Sequence, residues 1–192
     1  RKLKFIKMNK SVLFALAVLV STMSFGQKKE LKAADKAIKN SNYAEAKAAL
    51  DQAESVMLAM DDKQKSQYNL LRAEALFANG AGSDSDIDSA IEYLNKSDMN
   101  DSDVKALQTN MENSLLTKAN DLYQGKNYDS ASNKFGQLYR AVPSDTTYLY
   151  YAAVSSVTGQ DYETALGYYL KLDGLGYKGQ QKEYFATNKE TG

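Results

Sequence analysis

The side chains that could do chemistry in this sequence are carboxylates, lysines, tyrosines and hydroxyl groups. Its 192 residues include no histidine, no cysteine and no tryptophan. A thiol nucleophile, an imidazole base, a Ser-His-Asp triad, a disulfide and an ordinary zinc site are therefore excluded within the chain. An enzyme built from it would have to work with Asp, Glu, Lys, Tyr and Ser.

Two acidic runs contain the residue types of a calcium-binding or catalytic site but lack the other features that such a site needs. Residues 84–88 (DSDID) alternate acids as an EF-hand calcium loop does, but Ser89 and Asn95 stand where that loop needs Gly and Glu. We interpret the run as a solvated turn that caps a helix. Asp61 and Asp62 lack the apolar surroundings that raise a carboxyl pKa for acid catalysis, so we expect them at a helix start. We predict no catalytic residue, no metal and no cofactor.

The charge of the chain is divided unevenly between its start and the remainder. Residues 1–26 hold five of the 24 basic residues and no acid, which leaves 19 basic against 24 acidic residues. The chain after residue 26 contains no Lys/Arg-rich cluster, so a nucleic-acid partner is not expected. At the start, a basic stretch precedes the apolar residues 12–20 (VLFALAVLV), and small residues follow at Ser24 and Gly26. This order is typical of a secretory signal peptide.

We therefore expect a signal peptide over residues 1–26, with Met8 as the true start and cleavage between Gly26 and Gln27. The apolar run is shorter than the roughly 20 residues of a membrane span, which makes an uncleaved anchor the weaker alternative. No Cys stands at the cleavage site, so a lipoprotein anchor is excluded. The expected location is the periplasm or cell envelope of a Gram-negative bacterium, with no membrane span after cleavage.

A nine-residue pattern recurs along the rest of the chain. Each copy begins with Asn or Asp followed by Tyr, carries Ala at its fifth position and ends in a large residue. The copies are residues 42–50 (NYAEAKAAL), 127–135 (NYDSASNKF) and 161–169 (DYETALGYY). Residues 87–94 (IDSAIEYL) form a weaker fourth copy. Ala131 and Ala165 are 34 residues apart, and Pro143 follows Phe135 by eight.

A 34-residue period with this pattern resembles the tetratricopeptide repeat, whose unit is a pair of antiparallel helices. The resemblance covers about residues 29–175 and is most specific in the third and fourth copies. It implies an all-α fold, a right-handed α-solenoid of about four helix pairs, in a repeat domain over residues 27–175. The repeat-packing residues would be Ala46, Leu50, Ala90, Leu94, Ala131, Phe135, Ala165 and Tyr169.

Helix physics agrees with this resemblance. Ala at the fifth position lets two helices approach closely, and the large residue four positions later lies on the same face. The Asn or Asp that opens each copy can cap a second helix, and Gly125 and Gly159 fall where first helices must end. The predicted helices lie near residues 29–40, 43–59, 63–79, 87–97, 103–124, 128–141, 146–158 and 162–173.

The connections of the second and third repeats are less regular. Ser85 or Asp86, and Asp101 or Ser102, are the plausible caps of the helices that follow them. Residues 80–82 (GAG) have neither the preceding strand nor the following Lys-Ser or Lys-Thr of a phosphate loop, and we expect a flexible insertion there.

The repeat register also predicts a binding surface. In tetratricopeptide proteins the first helix of each unit lines a concave groove, and the matching positions here form a candidate peptide-binding groove. These positions are Asn113, Leu116, Asn120, Tyr123, Thr147, Tyr150, Val154 and Val157. Tyr, Asn and Leu suit an extended or helical peptide. The family's carboxylate clamp is incomplete, because Leu116 and Tyr151 replace its Lys and Arg, so binding of chaperone tails is not predicted.

The end of the sequence departs from the repeat pattern. Residues 176–192 are expected to be irregular or hairpin-like, with a strand-like stretch over 183–187 and a turn over 188–192. Because a hairpin turn without its second strand is incomplete, we expect the natural protein to continue past Gly192.

The resemblance implies a non-enzymatic scaffold that binds a protein or peptide partner of unknown identity along its concave face. Self-association is one form of that hypothesis. The alternative is a protein that binds a cell-wall glycan or another envelope component, because exposed aromatic rings can stack on sugars. The missing tryptophan argues mildly against this alternative.

Overall fold

The computed structural model describes residues 28–179, and the regular structure in this part of the chain is entirely helical. The helices are α1 (residues 28–39), α2 (Tyr43–Glu54), α3 (Asp62–Phe77), α4 (Asp84–Asn95), α5 (Ser102–Gln124), α6 (Tyr128–Ala141), α7 (Thr146–Thr158) and α8 (Tyr162–Gly174). The prediction of an all-α, helix-pair solenoid fold is confirmed. The expected signal peptide and the strand-like residues 183–187 lie outside the described residues.

One turn geometry joins α1 to α2, α5 to α6 and α7 to α8. The second helix of each pair is capped by Asn42, Asn127 or Asp161, whose side chain accepts a hydrogen bond from the backbone N–H three residues later. The residue before each cap has a left-handed backbone, with φ of 57° at Ser41, 62° at Lys126 and 67° at Gln160. The predicted caps of these three helices are confirmed, and the repeated turn makes each pair an α-hairpin.

The glycine of the turn between α7 and α8 serves close approach rather than an unusual dihedral angle. Gly159 ends α7 with φ −77°, an ordinary helical value, and the left-handed residue is the one after it. A Cβ on Gly159 would lie 2.7 Å from Asp129 Oδ1 and 3.1 Å from Tyr128 Cβ. Glycine therefore lets the end of α7 approach the start of α6. Gly125 follows α5 at the same place in its turn, but an added Cβ there would meet only carbonyl oxygens of α5.

The pattern residues form the tight packing contacts. All four alanines are buried, with Ala46, Ala90 and Ala131 at 0% exposure and Ala165 at 3%. Their large partners Leu50, Leu94 and Phe135 are buried as well. Small side chains at these places let neighbouring helices approach, and the large ones fill the space beside them.

Tyr169, the remaining residue of the predicted packing set, departs from the pattern because it is 40% exposed. It lies on α8, the last helix of the described residues, so no further described helix covers that face. The neighbouring Tyr168 packs inward instead. A Cβ on Gly136 of α6 would lie 2.6 Å from the Tyr168 hydroxyl oxygen.

The chain divides into two compact units, one that ends at Met111 and one that begins at Glu112. In the first, α1, α2 and α3 share one apolar core that contains Leu31, Leu50 and Tyr68. Arg72 fastens α3 to α2, because its guanidinium contacts the Asp51 carboxylate at 2.6 Å and donates to the Lys47 carbonyl at 3.2 Å. Helix α4 packs on α3.

In the second unit, α7 packs on both α6 and α8. A buried polar contact joins α6 to α7, where Ser132 Oγ donates to the Ala152 carbonyl at 3.0 Å and lies 2.6 Å from Ser156 Oγ. The Tyr148 hydroxyl of α7 donates to Glu112 of α5 at 2.6 Å. These bonds satisfy polar groups that burial would otherwise penalise.

Two helices differ from their predicted bounds. Helix α2 ends at Glu54 rather than near residue 59, and a 3-10 turn, Met57–Ala59, follows. Ser55 Oγ donates to the Gln52 carbonyl at 2.7 Å, a local bond that competes with helix continuation. Helix α4 begins at Asp84, because Ser83 and not Ser85 or Asp86 accepts the capping hydrogen bond.

The remaining connections also differ in detail from the prediction. The residues around 80–82 are not a flexible insertion: Gly80 is buried, and a Cβ on Gly82 would collide with the Leu76 carbonyl oxygen. Ahead of α5, Asp101 accepts a hydrogen bond from the Asp103 N–H at 2.8 Å, as a cap does. Asp61 is the predicted helix-start residue of α3, where it forms a capping box with Gln64.

None of the helices in residues 28–179 is both long and apolar enough to cross a membrane.

Candidate functional site

The eight residues of the predicted peptide-binding groove lie on α5 and α7 of the second unit. Asn113, Asn120 and Val157 are exposed, and the other five residues are half-buried: Leu116, Tyr123, Thr147, Tyr150 and Val154. Their spacing keeps each set on one face of its helix. The hydrogen bond between Tyr148 and Glu112 holds these two first helices side by side.

The ring of Tyr150 is not fully open to stacking by a ligand. Its ring lies 5.9 Å from that of Tyr151 and 5.9 Å from that of Tyr177, and Tyr151 in turn lies 5.5 Å from Phe135. Tyr177 belongs to the segment that follows α8, so this segment returns onto α7 and covers part of the Tyr150 ring. An aromatic stack with a ligand at Tyr150 would have to share the ring with these neighbours.

Two cavities of the second unit are lined by other residues than the predicted groove. A space of about 270 Å³ lies between α6, α7 and α8, bordered by polar residues that include Ser132, Asp161 and Tyr168. A shallower one of about 470 Å³ lies at the turn between α5 and α6, beside Lys118 and Leu122. Neither contains any of the eight predicted groove residues.

A larger cleft lies in the first unit, with a volume of about 890 Å³. Its walls come from α1, α3 and the first half of α5. Its lining residues are Asp35, Lys39, Asp62, Lys63, Ser66, Gln67, Leu70, Leu71, Glu74, Asp98, Asp101, Asp103, Val104, Ala106, Leu107 and Asn110. We call it the acidic cleft, because six carboxylates and only two lysines line it.

The sequence explains why acids gather there. Asp62 lies in the first turn of α3 and Asp103 in the first turn of α5, where the positive end of a helix dipole favours negative charge. Asp98 is held by the turn before α5, because its carboxylate accepts from the Asn100 N–H at 2.9 Å. Although the carboxylates are numerous, no three acidic side chains of the described residues are arranged to hold a metal ion.

Lys39 and Asp35 already neutralise each other within the acidic cleft. The Lys39 ammonium lies 2.7 Å from the Asp35 carboxylate, one helical turn away on α1. The hydrogen bond and the charge of Asp35 raise the pKa of Lys39. Because this pair is exposed, it contributes little to stability, and Lys63 is the other lysine of the lining.

Glu74 differs from Asp62 and Asp103 of the acidic cleft, whose carboxylates are exposed, by its partial burial. It is half-buried, and within residues 28–179 its carboxylate accepts no hydrogen bond and forms no salt bridge. Burial raises the pKa of Glu74 to about 7, and the negative charges of Asp35 and Asp103 add to the effect, while Lys39 opposes it. At neutral pH this group therefore exists in both protonation states, with no partner for the charged one.

The helix hairpins, their shared turn and the buried alanines together identify the repeat. Residues 116–176 match the family model described as Tetratricopeptide repeat. These matched residues therefore form tetratricopeptide repeats. The match covers the end of α5 and the helices α6, α7 and α8, which are the third and fourth repeats of the sequence prediction. No curated protein matches the chain.

Tetratricopeptide repeats generally mediate protein interactions. In this repeat register, α1, α3 and α5 are the first helices of three successive units, the helices assigned to the inner face. The acidic cleft lies on earlier repeats than the predicted groove residues and contains none of them. Sequence reasoning placed Asp62 only at a helix start and did not select Glu74 or Asp103.

Proposed function

We propose that this chain is a non-enzymatic scaffold that binds a protein or peptide partner along the inner face of its helix pairs. Tetratricopeptide proteins are typically scaffolds without enzymatic activity, and their repeats serve protein interactions. The observation that carries the proposal is the acidic cleft, where three first helices leave about 890 Å³ of open space. A groove of this size accepts side chains of a partner.

The described residues support binding better than catalysis. A catalytic site needs a nucleophile or a base within hydrogen-bonding reach of a partner group. Glu74 has a suitable pKa near 7, but no nucleophile, hydroxyl or amide of the described residues is hydrogen-bonded to it. The chain contains no histidine or cysteine to complete such a pair.

The proposed location is the periplasm or cell envelope of a Gram-negative bacterium. It rests on residues 1–26, whose basic, apolar and small-residue regions follow the order of a signal peptide. Mass spectrometry of the protein purified from cell fractions would test this part of the proposal. We expect the protein in the envelope fractions with Gln27 as its first residue. An intact leader on protein in the cytosolic fraction would contradict it.

Binding can be tested by site-specific photo-cross-linking. A photoreactive amino acid at Gln67, an exposed residue of the acidic cleft, should form one discrete adduct in living cells. The matched control carries the same amino acid at Ala48, an exposed position of the second helix α2. Equal adducts at both positions would indicate nonspecific contact, and no adduct at Gln67 would count against a partner on the inner face.

The alternative of glycan binding has less support. It relied on an aromatic platform at Tyr150, but that ring shares its surroundings with Tyr151 and Tyr177. Sugar-binding sites stack a pyranose ring on an open aromatic face. Binding to isolated cell-wall material that is lost in Tyr150→Ala would favour this alternative over the peptide partner.

A further inference from the structure

We propose that the acidic cleft binds a lysine or arginine side chain from an extended peptide segment of the partner, with the cationic head group at Glu74. This inference rests on the proposed function and adds to it the chemistry of the ligand. It names a different part of the inner face from the residues that the repeat register selected.

The lining of the acidic cleft, with both apolar and acidic residues, suits a long side chain with a charged end. Leu70, Leu71 and Leu107 are buried apolar residues that contribute to its lining, while carboxylates stand around them. Lysine and arginine pack an aliphatic stem on apolar surface and keep the charged head among polar groups. A side chain that is apolar throughout would leave the carboxylates without a cation.

The charge of the acidic cleft favours a cationic occupant over a neutral or acidic one. Six carboxylates and two lysines line it, and Lys39 is already paired with Asp35. An acidic segment would meet repulsion from the unpaired carboxylates, and complementary charge also raises the rate of encounter. The acidic cleft therefore selects a side chain by the sign of its charge as well as by its size.

Glu74 is a half-buried carboxylate of this lining that has no cationic partner. It is half-buried, it has no hydrogen bond or salt bridge in the described part of the chain, and Asp35 and Asp103 face it from the two neighbouring helices. The only cation among the charged groups that act on it is Lys39, whose ammonium is bound to Asp35. An incoming ammonium or guanidinium would supply the missing counter-charge and form a charge-assisted hydrogen bond.

Binding of the cationic side chain should consequently release a proton from Glu74. Burial, Asp35 and Asp103 together raise the pKa of Glu74, and a bound cation would lower it again, so the ligand displaces a proton from the half-protonated group. Affinity for a cationic side chain should therefore fall as the pH drops from 8 to 5.5.

The test uses the full chain and three blocked peptides that differ at one residue. They are acetyl-Ala-Leu-Lys-Leu-Ala-amide and the same peptide with norleucine or glutamate in place of lysine. Norleucine keeps the aliphatic stem and removes the ammonium group. Affinities are measured by NMR titration at pH 8 and pH 5.5 for wild type and for Glu74→Gln. The matched control is Glu92→Gln, the same substitution at an exposed residue of α4 outside the acidic cleft.

We expect wild type to prefer the lysine peptide over the norleucine peptide by about tenfold at pH 8, the ratio that one charge-assisted hydrogen bond provides. The preference should shrink at pH 5.5. Glu74→Gln should abolish most of it at both pH values, and Glu92→Gln should preserve it. Since Glu74→Gln removes a buried charge, we expect this variant to fold, which circular dichroism would verify.

Two results would overturn the inference while they leave the proposed function intact. One is equal binding of the three peptides, and the other is an equal effect of the two Gln substitutions. Binding of the free amine spermidine as tightly as the lysine peptide would show that the peptide is not the occupant. If no peptide binds and the Gln67 cross-link also captures no partner, then the proposed function itself fails.

Discussion

Gly159, at the end of α7, lies so close to Asp129, in the first turn of α6, that a methyl group on Gly159 would come within 2.7 Å of the Asp129 carboxylate. The same methyl group would lie 3.1 Å from Tyr128 Cβ, which is fixed to the backbone. This approach joins the third and fourth repeats. This close contact explains why residue 159 is a glycine. The left-handed backbone of the turn does not explain it, because the positive φ belongs to Gln160.

Gly159→Ala should therefore destabilise the protein by about 1 kcal/mol, since the added methyl group forces α6 and α7 apart. The matched control is Gly167→Ala in α8, where nothing lies within 4 Å of the added Cβ. There alanine should stabilise by about 0.5–1 kcal/mol, because glycine lowers helix propensity. Urea denaturation of both variants measures the difference. A stabilising effect at both sites would show that Gly159 has no packing role.

Ala46→Leu should destabilise the first unit by about 1–3 kcal/mol, because Ala46 is fully buried and a larger side chain overpacks the contact between helices. Ala48→Leu provides the control on the same helix α2, where the side chain is exposed. Its effect should stay within about 0.5 kcal/mol. Thermal unfolding measures both, and equal effects would contradict the assigned repeat register.

Tyr148→Phe removes the hydroxyl that donates to Glu112 and leaves the ring in place. Burial and this hydrogen bond both raise the pKa of Tyr148. We expect a loss of about 1–2 kcal/mol in the free energy of unfolding, because a half-buried carboxylate loses its donor. Tyr162→Phe, at a tyrosine that is 66% exposed, should be close to neutral in the same urea titration. If the two variants have the same stability, the contact between α5 and α7 does not contribute to the free energy of unfolding.

The raised pKa of Glu74 predicts how stability depends on pH. An unfolded glutamate has a pKa of 4.5 and the folded one about 7, so the folded chain binds the proton more tightly. The contribution of Glu74 to stability is therefore largest below pH 4.5 and is lost as the pH rises through 7. Glu74→Gln should raise the melting temperature at pH 8 but not near pH 4. A constant difference between variant and wild type across this range would contradict the raised pKa.

The helices of this chain could be predicted because their signals are local. Asn42, Asn127 and Asp161 cap the helices that the repeated pattern places after them, and the alanines four residues after these caps mark the tight contacts. Where two local signals compete, the prediction was wrong by a few residues. Ser83 rather than Ser85 caps α4, because either serine can serve and only the surrounding structure selects one.

The acidic cleft could not be predicted in the same way. Asp35, Glu74 and Asp103 come from three helices, and only tertiary packing brings them to one surface. Burial of Glu74 depends on the neighbours of α3 and has no signature in the residues beside it. The predicted groove residues came from repeat register alone, which assigns faces but does not show that Tyr177 covers part of Tyr150.

The central claim is that a partner occupies the inner face formed by first helices. Hydrogen–deuterium exchange of the chain, alone and with the partner captured through Gln67, tests it most directly. We expect slower exchange of backbone amides in α1, α3 and the start of α5, with α2 and α4 unchanged. Protection confined to α2 and α4, or no change in exchange anywhere, would contradict it.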